Sequence, residues 1–536
     1  RAAIISHREK VKSFAISGYF GVLNPEHELK AKALVEELSG LPATCGHTLT
    51  TNLHAARRAL TTVFNARLIP IITNLIGAVQ SMLDEYGVHA PLMVVKGDGS
   101  LISASLAMIQ PVETILSGPA ASVVGATFLS GEKSAIVSDM GGTTTDIAIL
   151  TNGRPLLNKE GAEVGGYKTM VEAVSIHTYG LGGDSEVHFD GDRRLLLGPK
   201  RVIPTSLLVH QHPETLDTLL QQEKRERPNE YDGKAAVLVH GAENEEVGFT
   251  SLQLRILKRL EDGPGFLEDL VQLSPTEYVF RRDIQKLVHK GYITLSGVTP
   301  TDAAHVLGLH DEWSVDAAEI GLSLSYRKIY GEKPDRNTLT SFAQAIFSET
   351  VVQSASCLVS ASLSEQAGIE VKSEPALLDL LTESIRGTDN TIFSLTIDIK
   401  RPIIAIGAPV HVYYPHVAEK VKSKAIIPEY ASIANAIGAV AGGIHQESTA
   451  TISPILGEVL RVFHEKGTSD YETVEEAVSA AKKAAAETAE EKAIHAGAKN
   501  PAVDVSVKEN RAPITGGGDT LIDIVVTARA SGRPGI

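Results

Sequence analysis

The sequence predicts an α/β protein, because runs of β-branched residues alternate with helical apolar spacing along its whole length. The apolar fraction of 43% and the charged fraction of 21% fit a chain that buries an ordinary core, and they exclude a disordered protein. A length of 536 residues predicts about three or four folding units.

The elements of the N-terminal part follow from apolar spacing and from helix breakers. A strand is predicted over Ser13–Tyr19, a helix over His27–Ser39 and a further strand over Leu92–Val95. A long helical region lies between the last two, from about 52 to 86, and Pro70 predicts a break or a kink in it. This part is therefore expected to mix helices with short strands.

The stretch 201–300 is richer in Gln, Glu, Lys, Arg and His than its surroundings. It predicts a helix over Leu252–Leu260, a second helix over Phe280–His289 and a strand over Gly291–Ser296. This is the order of a winged-helix module, and the plainer alternative is a helical insertion that caps a larger domain. The basic residues that keep a DNA-binding interpretation open are Lys258, Arg259, Arg281, Arg282, Lys286 and Lys290.

The C-terminal part returns to α/β character. Lys400–Val412 is predicted as a buried strand with a glycine turn, and Thr473–His495 as an alanine-rich helix with Glu and Lys on its outer face. Strands over Val503–Val507 and Leu521–Thr527 are predicted to close the chain, joined through Gly516–Gly518.

Charge and cysteine usage bound the partners and the compartment. Lys and Arg number 50 against 65 Asp and Glu, and the net charge of −15 argues against nucleic acid as the main partner. Cys45 and Cys357 cannot form a disulfide framework or a multi-cysteine zinc site. Residues 1–12 lack the apolar core of a secretory signal, and the longest weakly polar stretch, Ala425–Ile444, is interrupted by Glu429. We expect a soluble, cytoplasmic protein.

The segment Ser134–Leu150 has the strongest chemical motif. A strand over Ala135–Ser138 leads into DMGGTTTD, residues 139–146, and a second strand over Ile147–Leu150 leaves it. We expect a β-hairpin whose glycines adopt positive φ, whose N–H groups form an anion site and whose carboxylates hold a divalent cation; the alternative is a plain glycine turn. The predicted phosphate-binding residues are Gly141, Gly142, Thr143, Thr144 and Thr145, and the predicted metal ligands are Asp139 and Asp146.

A second small-residue segment, Ser117–Ala126, precedes this hairpin. Ser117 is predicted as a helix N-cap, and a helix that begins there would point its N-terminus at an anion, with Ser117 and Gly118 as binding residues. The alternative is a tightly packed small-residue helix, since Gly125 allows close helix packing.

A third glycine-rich segment, Tyr179–Ser185, follows a predicted strand. Its paired glycines, Gly182 and Gly183, either approach a substrate closely or only turn the chain. Beside it, His177 is a candidate acid/base or metal ligand together with Asp184 and Asp302. The alternative for this histidine, and for His305, is a hydrogen-bonded residue of the core.

Together these motifs resemble the hydantoinase A / 5-oxoprolinase family. Its members include ATP-dependent cyclic-amide hydrolases and nucleotide-binding subunits of acetone- and acetophenone-type carboxylases. The resemblance extends from about 13 to about 465 and is poor over 201–295. The segments in which it lies are Pro111–Ala126, Asp139–Asp146, Ile176–Ser185, Gly297–Gly308, Ile404–Val410 and Ser432–Ala441.

The resemblance implies an actin-like ATPase fold, in which two duplicated ribonuclease H-like lobes clamp a nucleotide, with the winged-helix-like module inserted. It implies ATP with Mg²⁺ or Mn²⁺, a second phosphate loop at 139–145 and an adenosine-side turn at Gly407 and Ala408. The implied division is 1–90 for the remainder of the first lobe with connecting helices, 91–200 for the second lobe with the phosphate loop, 201–298 for the insertion, 299–465 for the second lobe continued, and 466–536 for the C-terminal helix and strands.

The sequence departs from the family pattern at three places. The family's first phosphate loop, an Asp-Gly-Gly-Thr segment, is absent and the chain does not start with Met, so we expect that its beginning is missing or was removed. Asp184 stands where the family has the third glycine of a Gly-Ala-Gly-Gly-Gly-Ser stretch. Gly198–Pro213 replaces a loop that contains Pro and Cys, so the identity of the substrate is left undetermined.

The leading functional hypothesis is an ATP-dependent hydrolase that opens a cyclic amide of the hydantoin or 5-oxoproline type by phosphorylating a carbonyl oxygen. Its predicted catalytic residues are Asp139, Asp146 and His177. The expected partners are a small cyclic amide and a second hydantoinase or carboxylase subunit in an oligomer. One alternative is the nucleotide-binding subunit of an acetone/acetophenone-type carboxylase. The other is a non-enzymatic actin-like protein that binds nucleotide or has a regulatory role.

Overall fold

The computed structural model of the protein describes residues 1–50, 53–158, 160–240, 248–387, 395–455, 459–513 and 519–535. The chain forms two compact units, each built from segments that are distant in sequence. The first unit comprises 1–128, 155–175 and 434–536, and the second comprises 129–154 and 176–433. Both contain helices and strands, which confirms the predicted α/β class. The five-part division given above stays a prediction.

The first unit contains most of the predicted N-terminal elements. Its α- and 3₁₀-helices are Ala2–His7, Glu26–Ser39, Gly46–Thr48, Ala55–Glu85, Ala104–Ile109, Pro111–Thr114, Ser117–Ser130, Ala434–Ala441 and Val474–His495. Its strands are Phe14–Ile16, Ala43–Cys45, Met93–Val95, Leu101–Ser103, Leu157–Asn158, Glu163–Val164, Tyr167–Lys168, Ala173–Val174, Ile444–Pro454, Leu460–His464, Gly467–Tyr471, Ala498–Pro513 and Asp519–Pro534. The helix predicted over 27–39 is confirmed, and the first strand is shorter than predicted.

A five-stranded antiparallel sheet forms the core of the C-terminal part of the first unit. Its strand order is Gly467–Tyr471, Leu460–His464, Ile444–Pro454, Asp519–Pro534 and Ala498–Pro513. The helix Val474–His495 packs on it through a stripe of alanines spaced by four, from Ala477 to Ala493, which share one helix face. The two closing strands are confirmed and are longer than predicted. Their predicted glycine link, Gly516–Gly518, lies outside the described residues.

The prediction at Pro70 was a break or a kink. The long helix Ala55–Glu85 continues through Pro70, so there is no break, and the kink stays a prediction. Its buried face is polar as well as apolar: Arg58 is fully buried and donates to the carbonyl oxygens of Gly18 and Tyr19, each at 2.8 Å. In the part of the chain that the structure describes, two helices are long and apolar enough to cross a membrane, this one and Arg336–Ala367. The most apolar window is 28% buried in the first and 67% buried in the second, and a core helix passes the same test.

The sheet that matters for the site lies in the second unit. Its strand order is Ile176–Tyr179, Thr145–Thr151, Ala135–Met140, Ile403–Ile406 and Ala425–Ile426. Thr145–Thr151 is antiparallel to the strands on both of its sides, whereas Ala135–Met140 and Ile403–Ile406 run parallel to each other. The strand predicted over Lys400–Val412 is only four residues long, Ile403–Ile406. The helix Val410–Lys420 begins inside the range that was predicted as strand.

The other helices and strands of the second unit lie outside this sheet, and some of them form the insertion. The helices are Thr205–Gln211, Thr215–Lys224, Ser251–Leu260, Leu267–Leu270, Val271–Leu273, Glu277–His289, Pro300–Val306, Val315–Tyr330, Arg336–Ala367, Val371–Ser373, Pro375–Arg386, Val410–Lys420 and Ala431–Ile433. The remaining strands are Arg154–Pro155 (which pairs with Thr145–Thr151), Ser185–Phe189, Leu195–Arg201, Ile203–Pro204, Ala235–Leu238, Gly265–Phe266 and Ile293–Gly297. The predicted order of helix, helix and strand in the insertion is confirmed.

Candidate functional site

The predicted phosphate loop is a tight hairpin turn in the second unit. Met140 lies opposite Thr145 in the antiparallel pair, and the N–H of Gly141 donates to the carbonyl oxygen of Thr144 at 2.9 Å. The turn is therefore four residues long, Gly141–Thr144, and not eight as predicted. Asp139 and Asp146 lie inside the strands, directly opposite each other. Because opposite residues of an antiparallel pair share a face, both carboxylates project from the same side of the sheet.

Gly142 is the residue of this turn for which glycine is required for space. Neither Gly141 nor Gly142 lies in the left-handed region, so the prediction of positive φ was wrong. A Cβ at Gly142 would lie 2.2 Å from Oδ2 of Asp184, and a Cβ at Gly182 would lie 2.5 Å from the carbonyl oxygens of both turn glycines. Close approach of a second segment, and not backbone conformation, explains these residues.

That second segment is the glycine-rich turn 179–185. The N–H of Gly183 donates to the carbonyl oxygen of Gly141 at 3.1 Å, and the N–H of Asp184 donates to that of Gly142 at 2.9 Å. The hydroxyl of Thr145 donates to the carbonyl oxygen of Leu181 at 2.7 Å. Thr145 therefore anchors the neighbouring turn from a buried position, whereas Thr143 is exposed at the tip of the hairpin.

The third motif arrives at the end of the parallel strand. Ile406 lies opposite Asp139, and Gly407 follows with φ of 104°, which only glycine adopts readily. A Cβ at Gly407 would lie 2.1 Å from the carbonyl oxygen of Met140 and 3.1 Å from Oδ1 of Asp139. Three motifs that are distant in sequence thus converge where the two parallel strands end, and ligands of open α/β sheets bind at carboxyl ends of this kind.

The charged groups around the loop are partly buried. Asp146 accepts a hydrogen bond from the hydroxyl of Thr178 at 2.6 Å, and burial raises the pKa of its carboxyl. Burial also raises the pKa of Asp184, and this is opposed by Arg201, whose guanidinium donates to Oδ2 through two nitrogens at 3.1 and 3.2 Å. The oxygen donors of Asp139 and Asp146 are of the type that Mg²⁺ prefers.

A second cluster that could hold an ion lies in the first unit. Ligand atoms of Glu28, Cys45 and His47 lie within 4.8 Å of one another, and among the described residues it is the one group of three or more His, Cys, Asp and Glu side chains this close. The carboxylate of Glu28 already accepts from the N–H of Gly18 at 2.6 Å and from the N–H and Nδ1 of His47 at 3.0 and 2.6 Å. These bonds tie three chain segments together without an ion.

The structure does not bring His177 together with Asp184 and Asp302. Thr178 is the residue opposite Asp146, so His177 projects from the other face of the sheet, where its Nε2 lies 3.0 Å from Oε1 of Glu365. Asp302 is fully buried at a helix N-terminus and accepts from backbone N–H groups at 299, 205 and 206. Both groups have structural partners, and the metal-ligand prediction for the trio was wrong.

His305 is likewise a residue of the core. It is buried, its Nδ1 lies 2.8 Å from the carbonyl oxygen of Thr301, and its Nε2 lies 3.2 Å from the N–H of Trp313. The hydrogen-bonded alternative for this residue is therefore confirmed.

The segment around Ser117 is a packing helix of the first unit. Ser117 is the first residue of the helix and not the N-cap residue that precedes it, so the N-cap prediction was wrong. A Cβ at Gly125 would lie 1.8 Å from the carbonyl oxygen of Ala434, and one at Gly438 would lie 1.8 Å from that of Ala121. The predicted close packing of small residues is confirmed, and the binding role of Ser117 and Gly118 stays a prediction.

Sequence reasoning missed three residues that shape the site. Arg201 pairs with Asp184, Thr301 donates to the carbonyl oxygen of Gly183 through both its N–H and its hydroxyl, and Pro409 lies 3.5 Å from the position of a Cβ at Gly183. The departure of the loop 198–213 from the family pattern was the available signal for Arg201. Thr301 and Pro409 lie inside Gly297–Gly308 and Ile404–Val410, two segments of the family resemblance, and this was the available signal for them.

Comparisons with known proteins confirm the family resemblance. Residues 58–215 match the family model described as hydantoinase/oxoprolinase. The chain is 31% identical over 204 residues to the caprolactamase subunit alpha of Pseudomonas jessenii, which is 37% of this chain and 29% of that protein. It is 28% identical over 193 residues to 5-oxoprolinase 1 of Arabidopsis thaliana, which is 35% of this chain and 14% of that protein.

Solved structures match over nearly the whole chain. The ATP-dependent caprolactamase of Pseudomonas jessenii has a TM-score of 0.57 at 18% identity and covers 99% of this chain, which spans 66% of that one. Nucleotide-free acetone carboxylase has a TM-score of 0.54 at 15% identity, with 100% of this chain and 67% of that chain covered. These likenesses show a shared fold. The sequence matches span less than a third of the relatives' own lengths.

Proposed function

We propose that this chain is the ATP-binding part of an ATP-dependent hydrolase that opens cyclic amides. The observation that supports the proposal most directly is the convergence of three glycine motifs around Asp139 at one end of a sheet. The names of the relatives, a caprolactamase and a 5-oxoprolinase, point to the same class of substrate. We also propose the actin-like duplicated lobes and a cytoplasmic location.

The chemistry of an amide explains the need for ATP. An unactivated amide is a poor electrophile, and ATP supplies a phosphoryl group that makes its carbonyl carbon open to attack by water. In this proposal, Asp139 and Asp146 hold Mg²⁺ through water, because both carboxylates project from one face beside the hairpin turn. Backbone N–H groups and the exposed Thr143 contact phosphate oxygens, and Gly407 with Ala408 lies on the adenosine side.

A carboxylase subunit is the second candidate, and the fold shared with acetone carboxylase favours it. Such a subunit would use the same nucleotide site and would work with partner chains. Purification from the native source separates the two candidates: an associated set of further subunits, with no ring opening by the assembly, would select the carboxylase.

The test is ring opening by the native protein with Mg-ATP and a panel of hydantoin, 5-oxoproline and caprolactam. We expect substrate-stimulated release of ADP, reduced by at least about 100-fold in Asp139→Asn. The matched control is Asp379→Asn, which changes an exposed carboxylate on the helix Pro375–Arg386 of the same unit. No stimulation by any member of the panel, or equal loss in both variants, would overturn the proposal.

A further inference from the structure

The insertion in the second unit has the element order of a winged-helix module. The order along the chain is helix Ser251–Leu260, strand Gly265–Phe266, helix Leu267–Leu270, helix Glu277–His289 and strand Ile293–Gly297. The upstream strand Ala235–Leu238 pairs with both strands of the module and completes a small antiparallel sheet. In helix-turn-helix proteins the second helix of the pair enters the major groove of DNA, and by this fold analogy Glu277–His289 is the recognition helix.

One face of the recognition helix is buried in the core of the module, and the opposite face is exposed. Phe280, Ile284 and Leu287 are buried in a core that the helix Ser251–Leu260 supplies from the other side. The capping contact at Thr276, whose hydroxyl accepts from the N–H of Val279, fixes the start of the helix. The opposite face is therefore not needed to stabilise the module.

The free face is basic in an acidic protein. Its exposed residues are Glu277, Tyr278, Arg281, Arg282, Gln285, Lys286, Val288, His289 and Lys290. The other acidic residue of the helix, Asp283, is buried and accepts a hydrogen bond from the hydroxyl of Thr250 at 2.8 Å. Arginine, lysine and glutamine are the side chains that contact phosphates and read base edges in a groove.

Arg281 and Lys290 on this face have weak surface partners, whereas the guanidinium of Arg282 donates to Oδ1 of the buried Asp283 at 3.0 Å. Arg281 pairs with Glu277 and Glu230, and both acidic side chains are about half exposed. Lys290 lies over the ring of Phe249, with Nζ 5.3 Å from the ring centroid. Exposed ion pairs contribute at most about 1 kcal/mol, so phosphate oxygens can replace the carboxylates.

We propose that the exposed face of Glu277–His289 binds duplex DNA. A protein partner fits less well, because the apolar side chains on the face are limited to Tyr278 and Val288 and a protein interface needs a larger apolar core. The net charge of −15 opposes DNA elsewhere on the molecule, so binding is confined to this face and is sensitive to salt. This site is independent of the proposed ring-opening activity.

The test is fluorescence anisotropy of the full chain with a labelled mixed-sequence duplex of about three helical turns, at about 50 mM salt and above. We expect saturable binding that Arg281→Ala/Lys286→Ala, which leaves the pair of Arg282 with the buried Asp283 intact, weakens by about 10-fold, with the slope of log K against log salt falling by about 2. The matched control, Lys482→Ala/Lys483→Ala, removes the same charge from an exposed face of Val474–His495 and is expected to bind as the wild type does.

Absence of binding by the wild type at low salt would overturn the proposal. Equal weakening in the two double variants would also overturn it, because binding would then follow total charge and not this face. The thermal midpoint of each variant shows whether the module is folded, and Gln285→Ala, which leaves the charge unchanged, is the second variant if Arg281→Ala/Lys286→Ala is not folded. Loss of DNA affinity in Gln285→Ala would support binding at this face, and unchanged affinity in this variant would oppose it.

Discussion

The carboxylate of Asp184 occupies the space that a side chain at position 142 would need, since a Cβ there would lie 2.2 Å from Oδ2. The same aspartate donates its N–H to the carbonyl oxygen of Gly142, so the two glycine motifs are joined by both a hydrogen bond and a close contact. A substitution in either motif is therefore expected to perturb the structure of the other.

Gly142→Ala is expected to destabilise the second unit by about 1–3 kcal/mol, because the new methyl group overlaps the Asp184 carboxylate. Asp184→Gly in the same chain removes that carboxylate and is expected to restore most of the loss. The control is Gly141→Ala, whose Cβ would lie 3.8 Å from its nearest neighbour. Thermal unfolding of Gly142→Ala, of Asp184→Gly, of the double variant and of Gly141→Ala measures the coupling, and equal damage by Gly141→Ala and Gly142→Ala would contradict it.

Asp184→Asn is expected to raise the affinity for Mg-ATP by about fivefold, because it removes a negative charge beside the proposed phosphate loop. Arg201→Ala is expected to lower the affinity, since it removes the cation that neutralises Asp184. Titration with a fluorescent ATP analogue measures both changes. The control is Arg194→Ala, which removes an exposed cation elsewhere on the unit. Weaker binding by Asp184→Asn would show that the carboxylate assists binding.

The sequence predicted the hairpin at 139–146 because local signals agree there: β-branched runs flank a block of small and hydroxyl residues. It also predicted that the motifs around Gly182 and Gly407 belong to one site, but only through the family resemblance. What local signals could not predict are contacts between distant residues, such as His177 with Glu365, which are 188 residues apart. The face on which His177 lies depends on strand register, which the tertiary structure sets.

Three strands of the sheet in the first unit were missed for a related reason. Ile444–Pro454, Leu460–His464 and Gly467–Tyr471 contain many polar residues, and their apolar side chains alternate toward a core that the helix Val474–His495 supplies. Strand preference of this kind depends on the surface against which the residues pack, so it is weak in the isolated sequence.

Gly438→Ala is expected to destabilise the first unit by about 1–3 kcal/mol or more, because its Cβ would lie 1.8 Å from the carbonyl oxygen of Ala121. A backbone atom cannot rotate away, so the two helices must separate. The matched control is Gly77→Ala, in the helix Ala55–Glu85, where no heavy atom lies within 4 Å of the new Cβ. That change is expected to stabilise by about 0.5–1 kcal/mol. A rise of the thermal midpoint in both variants would contradict the close crossing.

Lys328→Met is expected to stabilise the protein at pH 7 and to lose this advantage as the pH rises. Burial lowers the pKa of Lys328 from 10.5 to about 8, and its Nζ donates to the carbonyl oxygen of Asp232 at 2.9 Å. Below pH 8 the folded protein must hold a buried ammonium, and this cost is fully present there. It disappears as the pH rises above 10.5, where the side chain is neutral in both the folded and the unfolded states.

The stabilisation by Lys328→Met is therefore expected to be about 1–3 kcal/mol at pH 7 and close to zero at about pH 11.5. Urea unfolding of wild type and variant at the two pH values measures it, because the difference cancels the other groups that titrate. Lys333→Met removes a side chain that is 59% exposed and pairs with Glu223, and it is the control for loss of a surface charge. An equal difference in the free energy of unfolding between variant and wild type at both pH values would show that the charged form of Lys328 is not destabilising, with its ammonium solvated in the folded state.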